Sequence, residues 1–234
     1  MVQLRPAAAR GRSRQPWLDS RHTFSFGDYH DDRFPHFRAL RVINEDRVAP
    51  GAGFSPHGHR DMEILSYVIS GALEHRDSLG NGSVIQPGEI QRMTAGSGIR
   101  HSEFNASTLA PVHFLQIWIE PECASLPPSY EQTALPPLAE HEARLDVIAS
   151  RQGGYRCVKV HQDVTLWRAS FGADAAQLSL PLAAGRHAWV QAVQGAAEVN
   201  GVALAAGDGL ALSDESAVAI VARSGAQLLV FDLA

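Results

Sequence analysis

The chain has 234 residues, 45% of them hydrophobic, so it can bury one large core or two cores of about 100 residues each. Its net charge of −5 at pH 7 provides no basic stripe for a phosphate backbone, so we do not expect it to bind nucleic acid directly. Two cysteines are too few for a disulfide framework and lack the paired spacing of a thiolate zinc site, which indicates a reducing compartment.

The first sixteen residues, MVQLRPAAARGRSRQP, contain four arginines and no acidic residue. They lack the apolar stretch of a secretory signal, and no window of the chain approaches the roughly 18 consecutive apolar residues of a membrane span. We therefore expect an exposed leading segment on a soluble, cytoplasmic protein that does not engage a membrane.

Short runs of β-branched and aromatic residues, separated by glycines and prolines, predict many short strands joined by turns. The clearest runs are ALRVI (39–43), EILSYVI (63–69), VHFLQIWI (112–119), VTLWRASF (164–171), AWVQAV (188–193) and LLVFDL (228–233). The best helical pattern is LAEHEARLDVIAS (138–150). The sequence thus predicts an all-β protein with few short helices.

A proline-rich segment separates two strand-rich blocks. PECASLPPSYEQTALPPL (121–138) holds five prolines, a composition typical of linkers because proline removes a backbone donor and stiffens the chain. We therefore predict two domains, residues 1–125 and residues 126–234.

The two blocks look like copies of one another. GALEHRDSLGNGSVIQPGEIQRM begins at Gly71 and GAAEVNGVALAAGDGLAL begins at Gly195, and in each a glutamate follows the glycine three residues later. A glycine–acid pair then occurs at Gly88 in the first copy and at Gly207 in the second. This predicts a duplicated β unit, with chance similarity between glycine-rich hairpins as the alternative.

Two pairs of potential metal ligands stand in the first block. His57 and His59 are two residues apart, as are His101 and Glu103, and residues two apart on a strand project from the same face. Each pair alone is weak evidence, since an isolated H-x-H is more often a solvated surface pair. Together, three imidazoles and a carboxylate from two strands predict a divalent metal site.

The spacing around these residues resembles the two cupin motifs. The first is G-x5-H-x-H-x3-E-x7-G from Gly51 to Gly71, with one residue more than usual before the last glycine; the second is G-x2-H-x3-N from Gly98 to Asn105, with Gly96 where proline normally stands. The stretches WLDSRHTFSFGDYH (17–30), ALRVINEDRVAPGAGFSPHGHRDMEILSYV (39–68) and GEIQRMTAGSGIRHSEFN (88–105) are closely similar to the pirin family, bicupins that include bacterial quercetin 2,3-dioxygenases. The second half resembles the family's C-terminal cupin more loosely. The resemblance implies two tandem cupin β-barrels of the jelly-roll type, the second degenerate and without metal.

The resemblance also implies a ligand set. In pirins the carboxylate ligand comes from the second motif, so the expected ligands are His57, His59, His101 and Glu103. The expected cofactor is one divalent ion per chain, Fe²⁺ in the first place, with Mn, Ni, Co, Cu and Zn left open because ligand type does not choose among them. Glu63, a ligand in typical cupins, is expected to be an outer or structural residue.

The duplication provides a test of metal stoichiometry within the sequence. His57 and His59 precede Gly71 by 14 and 12 residues, and the same distances before Gly195 lead to Pro181 and Ala183. His101 and Glu103 follow Gly88 by 13 and 15 residues, and the same distances after Gly207 lead to Ile220 and Ala222. None of these four residues in the second copy can bind a metal. Only His187 lies nearby. We therefore expect one metal ion per chain.

Other polar and aromatic residues have ordinary structural interpretations. We expect structural roles for His22, His30 and His36, a solvated His75, and no ligand role for His113, His141 and His161. Trp17, Phe24, Phe26 and Tyr29 either line a pocket mouth or plug a barrel or interface.

Three functions fit these observations. The first is a dioxygenase of flavonoid metabolism that cleaves a flavonol such as quercetin with O2, in which the flavonol binds the metal through its 3-hydroxyl and 4-carbonyl and Glu103 is the catalytic base. The second is a metal-dependent regulatory protein, like the eukaryotic family members that act as nuclear cofactors. The third, a sugar isomerase, needs a phosphate-binding group, for which only Arg60 and Arg100 stand close. The sequence carries no mark of the oligomeric state, and a monomer is our default expectation.

Overall fold

The computed structural model describes residues 1–222 and 224–234, which form β-strands and one turn of 3-10 helix at Ala7–Ala9. The first half of the chain contains β1 (Val2–Arg5), β2 (Gly11–Gln15), β3 (Leu18–His22), β4 (Leu40–Val48), β5 (Gly53–His59), β6 (Glu63–Ser70), β7 (Leu73–Asp77), β8 (Gly82–Ile85), β9 (Glu89–Thr94), β10 (Ile99–Asn105), β11 (Val112–Ile119) and β12 (Ser129–Ala134). The second half contains β13 (Ala143–Ser150), β14 (Val158–Lys159), β15 (Val164–Phe171), β16 (Ala176–Pro181), β17 (His187–Gln194), β18 (Ala196–Val199), β19 (Val202–Ala205), β20 (Gly209–Ser213), β21 (Ala217–Ala222) and β22 (Gln227–Leu233). The prediction of an all-β fold is confirmed.

The strands pack into two compact units. The first unit comprises residues 11–135 and 152–162, and the second comprises residues 1–10, 136–151 and 163–234. The domain boundary after residue 125 stays a prediction from composition. The packing adds that β1, at the start of the chain, belongs to the same unit as the strands of the second half.

Each unit repeats the same antiparallel strand order. In the first unit β9-β6-β11-β4 are neighbours in a large sheet, and β5-β10-β7-β8 form a small sheet. In the second unit the corresponding strands are β20-β17-β22-β15 and β16-β21-β18-β19, each numbered eleven higher than its counterpart. This repetition agrees with the duplicated unit read from the sequence and with a bicupin fold.

The matching glycines occupy matching hairpins. Gly71 turns the chain between β6 and β7 with φ of +80°, and Gly195 turns it between β17 and β18 with φ of +69°. A Cβ atom on Gly71 would lie 2.7 Å from the carbonyl oxygen of Pro111. Only glycine meets both the dihedral and the steric requirement, which explains why both copies keep it.

An apolar cluster forms the core of each unit. In the first unit it contains side chains from both sheets, Leu18, Val48, Val68, Leu73, Ile85, Val112 and Phe114. In the second unit it includes Phe171, Val190, Val199, Leu210 and Leu228. Ile220 and Ala222, which replace two of the expected ligands, also belong to that second cluster, so hydrocarbon packs at those positions.

The leading segment is mostly exposed, as expected, but it is also structured. β1 pairs with β20 from Val2–Leu212 to Arg5–Gly209, and Arg5 is fully buried. Strand pairing supplies partners for the backbone of this segment, which composition alone does not reveal. Within the described part of the chain, no helix has the length and apolarity needed to cross a lipid bilayer.

The helix predicted at 138–150 was wrong, because Ala143–Ser150 is β13. It pairs with β15 along most of its length, and Asp146 forms ion pairs with Arg144 and Arg168. A long-range strand partner outweighs the modest helical preference of these residues.

The proline-rich linker also contains a strand. β12 lies between the prolines, pairs with β9 and occupies the end of its sheet. Its proline-free stretch can therefore donate a full ladder of hydrogen bonds, while the prolines flank it outside the sheet.

A buried carboxyl group on β4 makes the stability of the first unit depend on pH. Asp46 is 2% exposed, and its Oδ1 has no hydrogen-bond partner among the described residues. Burial raises the pKa of Asp46 to about 7, a hydrogen bond from Ser20 opposes that rise, and the charge of Glu45 adds to it. A folded pKa above the unfolded one means that the native state binds the proton more tightly. Stability is therefore lost as the pH rises from about 4 to about 7.

We predict that Asp46→Asn stabilises the protein increasingly as the pH rises. Asn removes the buried ionisation, and each pKa unit is worth about 1.4 kcal/mol, so its advantage over wild type grows by about 2.5 kcal/mol between about pH 5 and about pH 8. Urea unfolding at both pH values measures this difference.

Asp19→Asn is the matched control on the neighbouring strand β3. A hydrogen bond from Arg12 lowers the pKa of the partly exposed Asp19, so its removal gives no such growing advantage. An unchanging difference between Asp46→Asn and wild type across this range would contradict the prediction.

Candidate metal centre

The small sheet of the first unit holds the predicted ligands on two paired strands. β10 pairs with β5 so that His101 lies opposite His57 and Ile99 opposite His59. A β-bulge follows, and Glu103 lies opposite Phe54. The backbones approach closely here, since a Cβ atom on Gly53 would lie 2.2 Å from the carbonyl oxygen of Glu103. The strand pairing therefore brings residues separated by more than forty positions to one place.

Three imidazoles converge at this place. The ring centroids of His57 and His101 are 4.5 Å apart, those of His57 and His59 are 4.7 Å apart, and those of His59 and His101 are 4.9 Å apart. One ring nitrogen from each lies within 4.8 Å of the other two. Nitrogens that bind one ion at about 2 Å lie about 3 to 4 Å apart, so the three ring nitrogens are close enough to converge on a common metal.

The histidine cluster favours neutral imidazoles. Burial, followed by the charge of His57, lowers the pKa of His59 to about 4. Burial, followed by the charges of His57, His59 and His75, lowers the pKa of His101 to about 2. Neutral imidazole is the form that binds metals. The Nε2 atom of His101 is buried without a hydrogen-bond partner among the described residues, which is a costly state unless that atom binds something.

Glu103 belongs to a second group of possible ligand atoms, which shares His101 with the three-histidine cluster. Its carboxylate oxygen groups with nitrogens of His101 and His75, all three within 4.8 Å of one another. Ser66 donates a hydrogen bond of 3.1 Å to Oε1, and Gln116 donates one to Oε2. Burial raises the pKa of Glu103 to about 7, against the hydrogen bond from Ser66. The carboxylate is thus fixed next to His101 by two side chains of the large sheet.

His75 is buried, contrary to our expectation of a solvated residue. Its exposed fraction is 0%, and its ring lies 5.3 Å from that of His101 and 4.9 Å from that of Tyr130. The sequence did contain a signal. On β7, His75 alternates with Leu73, so both face the core while Glu74 between them does not.

Glu63 belongs to neither group of ligand atoms. It is fully buried, and it accepts hydrogen bonds from the Thr94 hydroxyl at 3.1 Å and from the backbone N–H of His161 at 3.3 Å. These contacts tie β6 to β9 and to the segment 152–162 of the same unit. Its partners thus give it a structural role.

Two further histidines of the first unit pair with other side chains. His22 contacts Ser13 and Asn44, and His113 contacts Glu45 at 2.8 Å. Their rings are thus engaged in hydrogen bonds away from the three-histidine cluster.

An aromatic cavity of about 490 Å³ opens beside the histidines. It is lined by Trp17, Phe26, Phe54, Trp118, His57 and His59, together with Gln116. Trp17 meets Phe54 edge to face at 5.2 Å, and Trp118 meets His59 in the same way at 4.9 Å. Of the aromatic residues for which the sequence left two interpretations open, Trp17 and Phe26 therefore line the pocket. Phe54 and Trp118 come from strands and were not singled out.

These features define the chemistry that the centre can support. Three imidazoles and one carboxylate suit a divalent transition metal, and a cavity of this size accommodates an aromatic small molecule next to it. The orphaned Nε2 of His101 is the observation that most directly fits a metal ion at this place.

Two family models match the chain. The Pirin model matches residues 3–119, and the model described as the quercetinase C-terminal cupin domain matches residues 147–233. The chain is 46% identical to the quercetin 2,3-dioxygenase of Escherichia coli over 233 residues, covering 100% of this chain and 99% of that protein. It is 35% identical to a pirin-like protein of Caulobacter vibrioides, with 100% of both chains covered.

A solved structure is similar over the whole length. The bacterial pirin YhhW from Escherichia coli, in complex with nickel(II), superposes with a TM-score of 0.92 at 45% identity, covering 100% of this chain and 99% of that one. The match in sequence, strand order and full-length coverage leads to one conclusion: the chain belongs to the pirin family of bicupins.

Proposed function

We propose that this protein is a metal-dependent dioxygenase that cleaves a flavonol such as quercetin with O2. The observation that carries the proposal is the cluster of three imidazoles, two of which, those of His57 and His59, line an aromatic cavity. The relatives named quercetin 2,3-dioxygenase support it. A cytoplasmic location and a monomeric state stay predictions.

The proposed metal ligands are His57, His59, His101 and Glu103. The three imidazoles supply nitrogen donors, and the Glu103 carboxylate stands next to His101. When bound, a divalent transition ion supplies Lewis acidity and a route for electrons between an aromatic substrate and O2. The nickel complex of the Escherichia coli relative supports a divalent ion, and we keep Fe²⁺ as the proposed native one.

The side chains around the metal site have distinct proposed roles. Trp17 and Trp118 hold the planar substrate and keep water from it, because aromatic surfaces bury flat rings well. Glu103 accepts the proton of a phenolic hydroxyl, and Ser66 and Gln116 keep its carboxylate directed toward the site. Glu103 is the proposed catalytic base.

We predict one metal ion per chain and its loss in His101→Ala. Since that variant lacks one of four donors, Ni(II) affinity falls by at least about 100-fold, more than outer partners usually cost. Elemental analysis of the loaded protein gives the stoichiometry, and isothermal titration calorimetry gives the affinity.

His187→Ala is the matched control, because His187 is the one histidine near the corresponding position of the second copy. It should leave Ni(II) binding unchanged. Two ions per chain, or a loss of metal in His187→Ala, would contradict the proposed site.

We predict that protein loaded with metal under anaerobic conditions consumes O2 when quercetin is added in aerated buffer, and that a chelator stops this consumption. Glu103→Gln should lose at least about 100-fold in turnover, because an amide cannot accept the proton. An oxygen electrode and the absorbance of quercetin follow the reaction.

Glu120→Gln, which changes an exposed carboxylate on the same unit, is the control and should retain turnover. Full turnover in a metal-loaded Glu103→Gln variant would refute the role of the base. If the metal-loaded wild type consumes no O2 at all, the proposed activity fails and the regulatory function becomes the better interpretation.

We predict that Trp17→Ala raises the KM for quercetin by about 5-fold, since one aromatic contact contributes about 1 kcal/mol. The loss should appear in KM more than in kcat, because Trp17 touches the substrate and not the reacting atoms. Steady-state kinetics measure both. Trp17→Phe keeps an aromatic face and should restore most of the affinity; an equal loss in both variants would argue against ring packing.

A further inference from the structure

A chain of buried polar atoms leads away from His101 on the side opposite its orphaned nitrogen. The Nδ1 atom of His101 lies 3.5 Å from Nδ1 of His75, and Nε2 of His75 lies 3.3 Å from Oδ2 of Asp77. The side chains of His75 and Asp77 are both fully buried. Tyr130 packs against the His75 ring and limits its rotation.

The chemistry at the Asp77 end sets the direction of every hydrogen bond in this chain. An ionised carboxylate only accepts hydrogen bonds, so Nε2 of His75 must carry the proton that it donates to Asp77. Burial disfavours the charged imidazolium, and a neutral imidazole carries one proton only. Nδ1 of His75 is therefore an acceptor.

The same reasoning continues to His101. Facing an acceptor, Nδ1 of His101 must be the donor, which leaves its Nε2 atom without a proton. That atom is the one that is buried without a partner among the described residues. A metal-binding histidine commonly donates its other ring nitrogen in this way, which fixes both its tautomer and the orientation of its ring.

We propose that His75 and Asp77 form a positioning pair for His101. Asp77, acting through His75, holds His101 in the tautomer that carries its proton on Nδ1 and leaves the lone pair of Nε2 free for a metal ion. The inference rests on the proposed ligand role of His101. It assigns functional roles to two residues that the family ligand set does not include.

The fixed position of Asp77 supports this role. Its Oδ1 atom accepts hydrogen bonds from the backbone N–H groups of Leu79 and Asn81, at 2.9 and 3.0 Å. The β7–β8 turn therefore holds the carboxylate in place, so that Oδ2 faces His75.

Asp77→Asn is the sharpest test because it changes a hydrogen-bond direction with little change in shape. The amide Oδ1 can still accept the two turn hydrogen bonds, whereas its NH2 group replaces Oδ2 and donates to Nε2 of His75. The side-chain amide of Asn81, which donates to Oδ2 at 2.9 Å, must then turn its own oxygen toward the new NH2 group. His75 must then carry its proton on Nδ1, and His101 must carry its own on Nε2. We expect this reversal, together with a loss of about 10- to 100-fold in Ni(II) affinity.

The tautomers are measured directly on the full-length, metal-free, 15N-labelled protein by two-bond 15N–1H NMR of the imidazole rings. The proposal expects His101 protonated on Nδ1 in the wild type and on Nε2 in Asp77→Asn. A wild-type His101 that carries its proton on Nε2 would overturn it, as would an unchanged His101 tautomer in Asp77→Asn.

Variants of His75 separate positioning from mere support of the fold. His75→Phe keeps a ring beside Tyr130 but removes the acceptor, so Ni(II) affinity should fall about as far as in Asp77→Asn. His75→Asn places an amide oxygen near the former Nδ1 and should recover part of the loss. Equal affinity in His75→Phe and wild type would overturn the proposal.

His113→Phe is the matched control, because it also removes a histidine–carboxylate hydrogen bond in the first unit. Three residues apart on β11, His113 and Gln116 project from opposite faces, so His113 points away from the site and its loss should leave Ni(II) affinity unchanged. The tautomer measurement needs no metal. If the protein shows the expected tautomers but binds no metal, the proposed function is therefore refuted, whereas the positioning pair is still supported.

Discussion

The pairing of β5 with β10 is the interaction on which the centre depends. Its register sets His101 opposite His57, and the bulge next to it gives Glu103 a place beside His101. Because side chains alternate along a strand, a slip of one residue would turn the side chains of β10 to the opposite face. The geometry of the site is thus fixed by backbone hydrogen bonds between two strands that the chain places far apart in sequence.

Much of this arrangement can be predicted from the sequence, because strands repeat every two residues. Each pair of ligands has a spacing of two residues, which predicts that its members lie on the same face of a strand. The pairs are His57 with His59 and His101 with Glu103. The convergence of the three imidazoles follows once the strands are known to pair. The repeated glycines similarly indicate two copies of one strand order, since a positive φ at a hairpin leaves few alternatives to Gly71.

Other features depend on partners that local sequence does not reveal. β13 has residues that tolerate a helix, and only its pairing with β15 makes it a strand. The alternation of His75 with Leu73 marks the inward face of β7, but the position of His75 beside His101 follows only from the pairing of β7 with β10. The cavity brings together Trp17, Phe54 and Trp118 from three separate segments, and no spacing rule connects them.

The placement of β1 has a consequence for how the chain is made. Val2 to Arg5 pair with Leu212 to Gly209, so β1 must wait for a partner that lies more than 200 residues later in the chain. Until then this strand has no partner for its backbone, and such long-range closure slows folding. The second unit therefore cannot be completed before β20 has been synthesised, whereas residues 11–135, which contain most of the first unit, all precede β20 in the chain.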